Sequence, residues 1–424
     1  MSGGRLVFAM YEGAGRLSAP LATPWLARRA ARGKEDAERL AEKRGIASRA
    51  PFHEPPVWLH AVSAGESVAA LALAERLAGA GLPVLLTTST PTAAGLVARH
   101  EAERIVHQYA PLDAPPFLSR FLGHWRPRAA VFTESEVWPA TLAALARRAV
   151  PRAHVNARLS ARSFARWRRW PWLARALFSR IDLALAQSAR QAERFAALGA
   201  PVVRATGNIK FDAPAPPVDA AELARLRAAT AGRPLWLAAS THSGEEEAVL
   251  SAHAVLAARL PEVLTIVAPR HPDRADAVAR LAARAGTVTR RSLGEAPAGD
   301  FHLVDTFGEL GTFLALAPVV FLGGSLVPFG GHNPAEPAAH GSALVTGPDH
   351  GEMFEPFVEA GAARVVADGP ALGAAVAALL ADDVERYAMA DRATATFAAE
   401  RGALDRMMAE LLPFIADGGR TAAP

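Results

Sequence analysis

Residues 318–341 read PVVFLGGSLVPFGGHNPAEPAAHG, and this stretch predicts a strand, a glycine-rich loop and the start of a helix. The apolar run at its beginning is typical of a buried strand. Asn333 suits the N-cap of the helix, and Pro334 suits its first position. Free N–H groups at a helix start favour an anion, and Glu336 in the first turn could receive ribose hydroxyls. A tight glycine turn is the alternative, but two glycine pairs beside a carboxylate favour a ligand site.

The composition indicates a globular protein of about two domains. The chain has 424 residues, of which 51% are hydrophobic and 21% charged, and it contains no cysteine. A chain without cysteine has no disulfide, no thiol nucleophile and no cysteine metal site, and the cytosol is then the default compartment.

Basic residues are concentrated in two segments, although the net charge is only +4. Residues 26–49 and 158–180 are both rich in arginine, and the second segment is interleaved with Phe and Trp. This pattern indicates a surface for membranes or anionic lipid, a solvated helix face, or a nucleic-acid site. No helix-turn-helix, zinc-finger or RNA-binding signature accompanies it, so we favour the membrane and expect no nucleic-acid partner.

The N-terminal segment 6–26 is apolar, but Glu12 and Arg16 interrupt it. A membrane-spanning helix needs about 20 mostly apolar residues. The segment also lacks the pattern of a signal peptide. An interfacial segment followed by arginines is therefore our prediction. A helix packed on the body of the protein is the alternative.

Apolar runs alternate with helical stretches along the remainder of the chain, which predicts parallel sheets with both faces covered. A proline-rich stretch at 212–218 interrupts the alternation, which then restarts. We therefore predict an α/β protein with a membrane-associating segment (1–50), a first Rossmann-like domain (51–211), a linker (212–220) and a second Rossmann-like domain (221–400). The last segment, 401–424, is predicted to be a helix that packs back toward the first domain.

Polar clusters follow directly after many of the predicted strands. Ligands of open α/β sheets bind outside the carboxyl ends of the strands, so we expect two such sheets to face each other across one cleft. In the first half the candidate residues are Ser63, Gly65, Glu66, Glu134, Glu136, Asn156 and Arg158. In the second half they are Ser240, Thr241, Arg270, His271, Gly308, Glu309, Gly323, Gly324, Ser325, Gly331, His332, Asn333 and Glu336, and Lys210 precedes the linker.

The carboxylates of the first half are candidates for proton transfer or for binding hydroxyls. Glu66, Glu134 and Glu136 each lie at a strand end, and Arg158 could pair with one of them. A purely structural ion pair is the alternative for each of these residues.

The second half offers groups that suit a phosphate. Arg270 presents a guanidinium after a strand, and Lys210 could reach the cleft from the linker. An ordinary surface position would explain Arg270 or Lys210 equally well. Helix capping would explain Ser240 or Thr241, and compensation of the helix dipole would explain Glu309. The chain has no P-loop and no Asp-x-Asp, which argues against a metal-bridged nucleotide-sugar site.

Seven blocks in order resemble the 3-deoxy-D-manno-octulosonic acid (Kdo) transferases of lipopolysaccharide synthesis. The blocks are WLHAVSAGE from Trp58, TESEVWP from Thr133, NARLS from Asn156, GNIKFD from Gly207, STH from Ser240, PRHP from Pro269, and GGSLV with GGHNP from Gly323.

The resemblance implies a GT-B fold with an acceptor-binding first half and a donor-binding second half. It implies CMP-Kdo as a co-substrate, a lipid A precursor as acceptor, and neither metal nor cofactor. It also implies attachment to the cytoplasmic face of the inner membrane. The start of this chain is more polar than the family's usual anchor.

The resemblance further implies a general base in the basic N-terminal segment, with the pattern Glu-x-x-Gly. Glu42 before Gly45 matches this pattern, and Glu35 is its competitor. Transfer would proceed with inversion at the anomeric carbon of Kdo. The charge growing on the CMP phosphate would be met by Arg270, Lys210 and the helix start at Asn333. Glu336 would hold the ribose of CMP.

Two other functions compete with Kdo transfer. One is a GT-B transferase or epimerase that uses a UDP-sugar. The other is a two-domain solute-binding protein, which the missing signal peptide disfavours.

Overall fold

The computed structural model describes residues 3–100 and 102–419, and these form two compact units. Unit 1 comprises Met1–Asp212 and Gly402–Pro424, and unit 2 comprises Ala213–Arg401. Positions 1–2 and 420–424 of the predicted terminal segments lie outside the described residues.

Unit 1 is built on a seven-stranded parallel sheet of order β3-β2-β1-β4-β5-β6-β7. Its strands are β1 (Val57–His60), β2 (Val84–Thr88), β3 (Ile105–Tyr109), β4 (Ala129–Thr133), β5 (Arg152–Ala157), β6 (Leu183–Ala186) and β7 (Val203–Ala205). Its helices are α1 (Gly3–Ser18), α2 (Ala22–Ala30), α3 (Ala64–Gly79), α4 (Pro91–Val97), α5 (Pro115–Trp125), α6 (Pro139–Arg147), α7 (Ala161–Arg168), α8 (Pro171–Phe178), α9 (Ala189–Leu198) and, at the end of the chain, α18 (Ala403–Ala416).

Unit 2 repeats this architecture with a parallel sheet of order β10-β11-β9-β8-β12-β13-β14. Its strands are β8 (Leu235–Thr241), β9 (Leu264–Pro269), β10 (Val288–Arg290), β11 (Phe301–Leu303), β12 (Val319–Leu322), β13 (Ala343–Thr346) and β14 (Ala363–Val365). Its helices are α10 (Ala220–Ala229), α11 (Glu245–Ala257), α12 (Ala275–Ala282), α13 (Leu310–Leu316), α14 (Ala335–Ala339), α15 (Glu355–Glu359), α16 (Gly369–Ala381) and α17 (Asp383–Glu400).

Both faces of the unit 1 sheet are covered, as its apolar strands require. Val57 and Leu59 face a core that includes Met407 and Leu411 of α18, whereas Trp58 faces the opposite core. Asp212 accepts hydrogen bonds from the N–H groups of Gly402 and Leu404, each at 2.6 Å. The C-terminal helix is therefore part of unit 1, where it packs on one face of the sheet.

The N-terminal helices pack on unit 1 through one face only. Phe8 of α1 is buried under Arg180, and Glu12 accepts a hydrogen bond from Arg147 at 2.7 Å. The exposed large apolar side chains of this region are Leu6, Met10, Tyr11, Leu17, Leu21 and Trp25. Within residues 3–100 and 102–419, no helix is both long enough and apolar enough to cross a bilayer.

The structure departs from the sequence predictions at three places. The short strand β7 was not predicted, and the aromatic and basic helix is two helices, because Pro171 restarts the helix after Trp170. The helix near Asn333 begins one residue later than predicted, at Ala335, and is only five residues long.

The strand order fixes where a ligand can bind in each unit. The connections reverse direction between β1 and β4 in unit 1, and between β8 and β12 in unit 2. In open α/β sheets such a switch point leaves a crevice at the carboxyl ends of the two strands.

Candidate functional site

Glu66 lies at the switch point of unit 1, in the first turn of α3 directly after β1. Its carboxylate accepts hydrogen bonds from the Val62 N–H and the Ser63 hydroxyl, each at 3.0 Å, and Ser63 caps the helix in return. The Thr133 hydroxyl at the end of β4 donates to the same carboxylate at 3.3 Å. Glu66 is thus oriented entirely by neutral donors and remains half-exposed. Gly65 leaves open space beside it, since a Cβ there would meet no atom within 4 Å.

Glu134 follows β4 in a strained backbone conformation, with φ of 53°. Its carboxylate lies 2.8 Å from Lys210 Nζ and 3.8 Å from the Arg158 guanidinium. Two cations therefore neutralise this carboxylate, and Arg158 has the ion-pair role that the sequence left open.

Glu136 is the third carboxylate of this cluster, and it accepts a hydrogen bond from Trp138 Nε1 at 2.6 Å. Burial raises the pKa of Glu136, and the nearby charges of Glu66 and Glu134 raise it further. Its proton affinity is therefore increased, as expected where like charges share a site.

Asn156 supports the cluster from β5 without facing an open site. It is buried with φ of 50°, and its side-chain oxygen accepts the Ile209 N–H at 3.2 Å. This bond holds the turn Ile209–Phe211, which carries Lys210. Lys210 therefore lies beside the Glu134 carboxylate of unit 1, and its predicted contact with CMP stays a prediction.

Glu42, the predicted general base, is almost completely buried in a 3₁₀ turn, Glu42–Arg44. Arg39 donates to both of its oxygens at 2.9 Å, the Ser48 hydroxyl donates at 2.5 Å, and the Tyr109 N–H donates at 2.7 Å. Tyr109 ends β3, which is the edge strand of the sheet, two strands away from the switch point. These four bonds satisfy the carboxylate within unit 1, and its role as general base stays a prediction.

The other parts of the predicted Glu-x-x-Gly motif also have structural explanations. Gly45 has φ of 76°, and a Cβ there would lie 2.0 Å from the Phe117 carbonyl oxygen. Glu35, the competing base, is buried and paired with Arg29 at 2.8 Å and with Lys43 at 2.9 Å.

In unit 2 the first glycine pair is bound by a carboxylate of the protein itself. Glu245, which begins α11 and is fully buried, accepts the N–H groups of Gly324, Ser325 and Leu326 at 2.6, 3.0 and 2.9 Å, and that of His242 at 3.0 Å. A Cβ at Gly323 would lie 2.6 Å from the Ser240 carbonyl oxygen. These N–H groups are therefore bonded within unit 2, and the prediction that this loop lines CMP stays a prediction. The available signal was the acidic helix start after β8, from which no role for Glu245 was predicted.

The second glycine pair is closely packed against a neighbouring loop. Gly331 has φ of 71°, and a Cβ there would lie 2.2 Å from the His350 carbonyl oxygen. His332 follows it, and its Nε2 lies 2.9 Å from His242 Nε2. Burial and the nearby charges of His242 and Arg270 lower the pKa of His332 to about 4, so this pair is neutral at pH 7.

Arg270 is the exposed cation of the unit 2 switch point. Burial raises the pKa of Glu336, and the Arg270 charge opposes this effect, so the two side chains influence each other. Asn333 accepts the Ala335 N–H at 3.0 Å and so shapes the short α14 that carries Glu336.

A cavity of about 190 Å³ adjoins Arg270 and is lined by Ser240, Phe307 and Gly308. Ser240 has φ of 55°, which makes it the third strained residue at a strand end, after Glu134 and Asn156. Phe307 is 81% exposed, and no motif in the sequence indicated it.

Three other residues of unit 2 were predicted to bind the CMP-Kdo donor. His271 is exposed, with its ring 5.9 Å from that of His242. Thr241 is buried and donates to Glu246 at 3.3 Å, whereas the N-cap of α11 is Gly244, so neither Ser240 nor Thr241 caps this helix. Glu309 is paired with Arg291 and accepts from Thr306, and the bonds from Arg291 lower its pKa, so its partners are within the protein.

Among residues 3–100 and 102–419, no group of His, Asp and Glu side chains has the arrangement of a metal site. The two clusters differ in composition: Glu66, Glu134 and Glu136 lie at the unit 1 switch point with Lys210 and Arg158, whereas the buried Glu245, Glu336, Arg270 and two histidines lie at that of unit 2.

The sequence comparisons extend over almost the whole chain. The family model described as 3-deoxy-D-manno-octulosonic-acid transferase matches residues 38–213. A 3-deoxy-D-manno-octulosonic acid transferase of Haemophilus influenzae is 35% identical over 391 residues, which cover 89% of this chain and 92% of that protein. The Bordetella pertussis transferase of the same name is 36% identical over 417 residues, covering 92% and 95%.

The structural comparisons concern the fold alone. A glycosyltransferase of Rickettsia africae ESF-5 matches with a TM-score of 0.59 at 10% identity, covering 88% of this chain and 100% of that one. A UDP-N-acetylglucosamine 2-epimerase matches with a TM-score of 0.56 at 14% identity, covering 88% and 99%. Together with the two parallel seven-stranded sheets, these matches identify the GT-B fold.

Proposed function

We propose that this chain, which belongs to the 3-deoxy-D-manno-octulosonic acid transferase family, transfers Kdo from CMP-Kdo to a lipid A precursor. One observation carries the proposal: the chain matches Kdo transferases over 92% of a relative's length. The GT-B fold and the polar residues at both switch points support it.

Glu66 is our candidate for the general base, in place of Glu42. It lies at the switch point, it is partly exposed, and its carboxylate accepts from a backbone N–H and two hydroxyls. Glu134 is neutralised by Lys210, and the raised pKa of Glu136 keeps a larger share of that carboxyl protonated. We assign to Glu134 and Glu136 the binding of acceptor hydroxyls.

The proposed reaction is a direct displacement with inversion. Glu66 takes the proton of a glucosamine hydroxyl, and the oxygen forms a bond to the anomeric carbon of Kdo. The bond from that carbon to the phosphate oxygen of CMP breaks, and its electron pair leaves with CMP.

Unit 2 supplies the groups that we assign to the leaving nucleotide. The exposed Arg270 offers a charge-assisted hydrogen bond to the phosphate. Glu336 accepts the ribose hydroxyls, and the cavity beside Phe307 is available to the base. Fixed donors aimed at developing charge are usually the largest catalytic term, and we propose that they act here without a metal ion or cofactor.

We also propose that the enzyme works at the cytoplasmic face of the inner membrane. The exposed apolar residues of α1 and α2 and the exposed Trp170 and Trp172 lie among arginines. This combination favours the surface of an anionic membrane.

The test is incubation of the full chain with CMP-Kdo and a tetra-acyl lipid A precursor, followed by mass spectrometry. A product heavier by one or more Kdo residues is expected, and NMR of the product reports inversion at the anomeric carbon. An unchanged acceptor would refute the proposal.

A transferase or epimerase that uses a UDP-sugar is the competing function. Calorimetry with CMP and UDP separates the two, since only the first is expected to bind tightly. Tighter binding of UDP would favour the alternative.

A further inference from the structure

A groove of about 550 Å³ lies on unit 1, and its lining does not include the three carboxylates of the switch point. Tyr11, Ala14, Leu21 and Trp25 line it from the N-terminal helices and the turn between them, Leu112 lines it from the loop after β3, and Phe117 lines it from the start of α5. Its volume is within the range of small-molecule sites. Its lining is mostly apolar, so its occupant must be apolar as well.

The groove opens onto the exposed apolar side chains of the same helices. Leu21 is 67% exposed and Trp25 49% exposed, and the neighbouring Leu17 is 84% exposed. Apolar residues in such a group mark an interaction site. The surrounding basic residues, with Arg28 and Arg32 exposed, suit an anionic lipid surface.

The inner end of the groove is polar and is connected to the carboxylate cluster. Asp113 accepts a hydrogen bond from the Tyr11 hydroxyl at 3.0 Å, and it accepts the N–H groups of Ala140 and Thr141 at 3.1 and 2.7 Å. These N–H groups belong to the first turn of α6, which directly follows the segment that holds Glu136 and Trp138. The groove therefore ends beside the helix that begins at the acceptor-side residues.

We propose that the groove binds one acyl chain of the acceptor lipid and so presents the sugar to the carboxylate cluster. This inference rests on the proposed function, because it takes the acceptor to be an acylated glucosamine. The apolar opening accounts for entry of the chain from the membrane, and Asp113 marks the end of the apolar surface.

The first test compares acceptors with and without acyl chains, using the full-length enzyme and CMP-Kdo. Ala14→Phe places a ring in the groove on helix α1, and it should raise KM for the tetra-acyl precursor about tenfold, the loss expected for about two buried methylenes. KM for the fully deacylated disaccharide should not change, which also shows that the variant is folded. Gly13→Phe is the matched control, because a Cβ at Gly13 meets no atom within 4 Å.

The second test locates the chain directly. A tetra-acyl precursor with a diazirine in one acyl chain is irradiated with the enzyme, and labelled peptides should come from residues 10–26 or 110–118. Labels elsewhere, or equal changes in KM for both acceptors, would overturn the inference. A further experiment uses vesicles that contain phosphatidylglycerol with a diazirine in its acyl chain. If this lipid labels the groove and the precursor does not displace it, the inference is overturned, since the groove would then bind bilayer lipid.

The two proposals fail in different ways. If the wild-type enzyme transfers Kdo to neither acceptor, the proposed function is refuted, and photolabelling alone then decides whether the groove takes the precursor's chain.

Discussion

The two units each place a glutamate in the first turn of the equivalent helix, yet the two side chains have different environments. Glu66 is the third residue of the helix after β1, and Glu245 is the first residue of the helix after β8. Each accepts hydrogen bonds from the strand across the switch point, but Glu66 receives a hydroxyl from Thr133, whereas Glu245 receives three backbone N–H groups of the glycine loop.

Glycine accounts for this difference. Gly323 allows the loop to approach within a distance that any Cβ would prevent, so its N–H groups converge on Glu245 and bury it completely. Thr133 keeps its side chain between β4 and Glu66, so that Glu66 stays half-exposed. The first turn of the equivalent helix thus holds a partly exposed carboxylate in unit 1 and a fully buried carboxylate in unit 2.

The largest expected effect on turnover comes from removing the charge of Glu66, the more exposed of the two glutamates. Glu66→Gln should lower kcat about 10³-fold, within the range of general-base catalysis, and leave the affinity for CMP unchanged. Steady-state kinetics with the tetra-acyl precursor and calorimetry with CMP measure the two effects.

Glu75→Gln is the matched control, because Glu75 lies on the same helix and is exposed. Retention of most of the turnover by Glu66→Gln would shift the base to Glu136, whose Gln variant would then be inactive.

Glu245, the buried glutamate, should instead contribute to the free energy of unfolding of unit 2. Glu245→Ala leaves four N–H groups without their acceptor and should lower the free energy of unfolding of unit 2 by about 4 kcal/mol. Hydrogen exchange of the peptide containing Gly324–Leu326 should accelerate in the same variant, and CMP binding should weaken.

Glu247→Ala provides the comparison, since Glu247 is exposed in the same helical turn. Unchanged exchange of the glycine loop in Glu245→Ala would contradict the structural role of Glu245.

Glu42 extends the comparison to a third carboxylate. Glu42→Gln should cost about 3 kcal/mol of stability, because Arg39 loses its buried partner, while kcat of the folded enzyme changes less than about twofold. Denaturant unfolding and kinetics at low temperature separate the two quantities, with the exposed Glu38→Gln as control. Lost turnover at unchanged stability would return the catalytic role to Glu42.

The sequence predicted the parts of the molecule that depend on periodicity. Apolar runs separated by helices gave two parallel sheets, and polar residues after strands marked both switch points. It did not predict which N–H groups are already used, because the bond between Glu245 and Gly324 joins positions 79 residues apart. Burial of Glu42 under Arg39 and Tyr109 likewise depends on tertiary packing, so the pattern around Glu42 looked like a solvated helix face.

The smallest expected effect concerns Glu336, the carboxylate of unit 2 that is left for the ligand. Because burial raises its pKa, Glu336 takes up a proton at a higher pH than an ordinary glutamate and then loses its capacity to accept ribose hydroxyls. CMP affinity should therefore fall, by about threefold, as the pH is lowered from 7 toward 5. The phosphate of CMP titrates in the same range, so calorimetry is compared with Glu336→Gln, which keeps an acceptor oxygen but does not titrate. The wild-type profile should be steeper on the acid side than that of the variant, and coincident profiles would show that Glu336 does not hold the ribose.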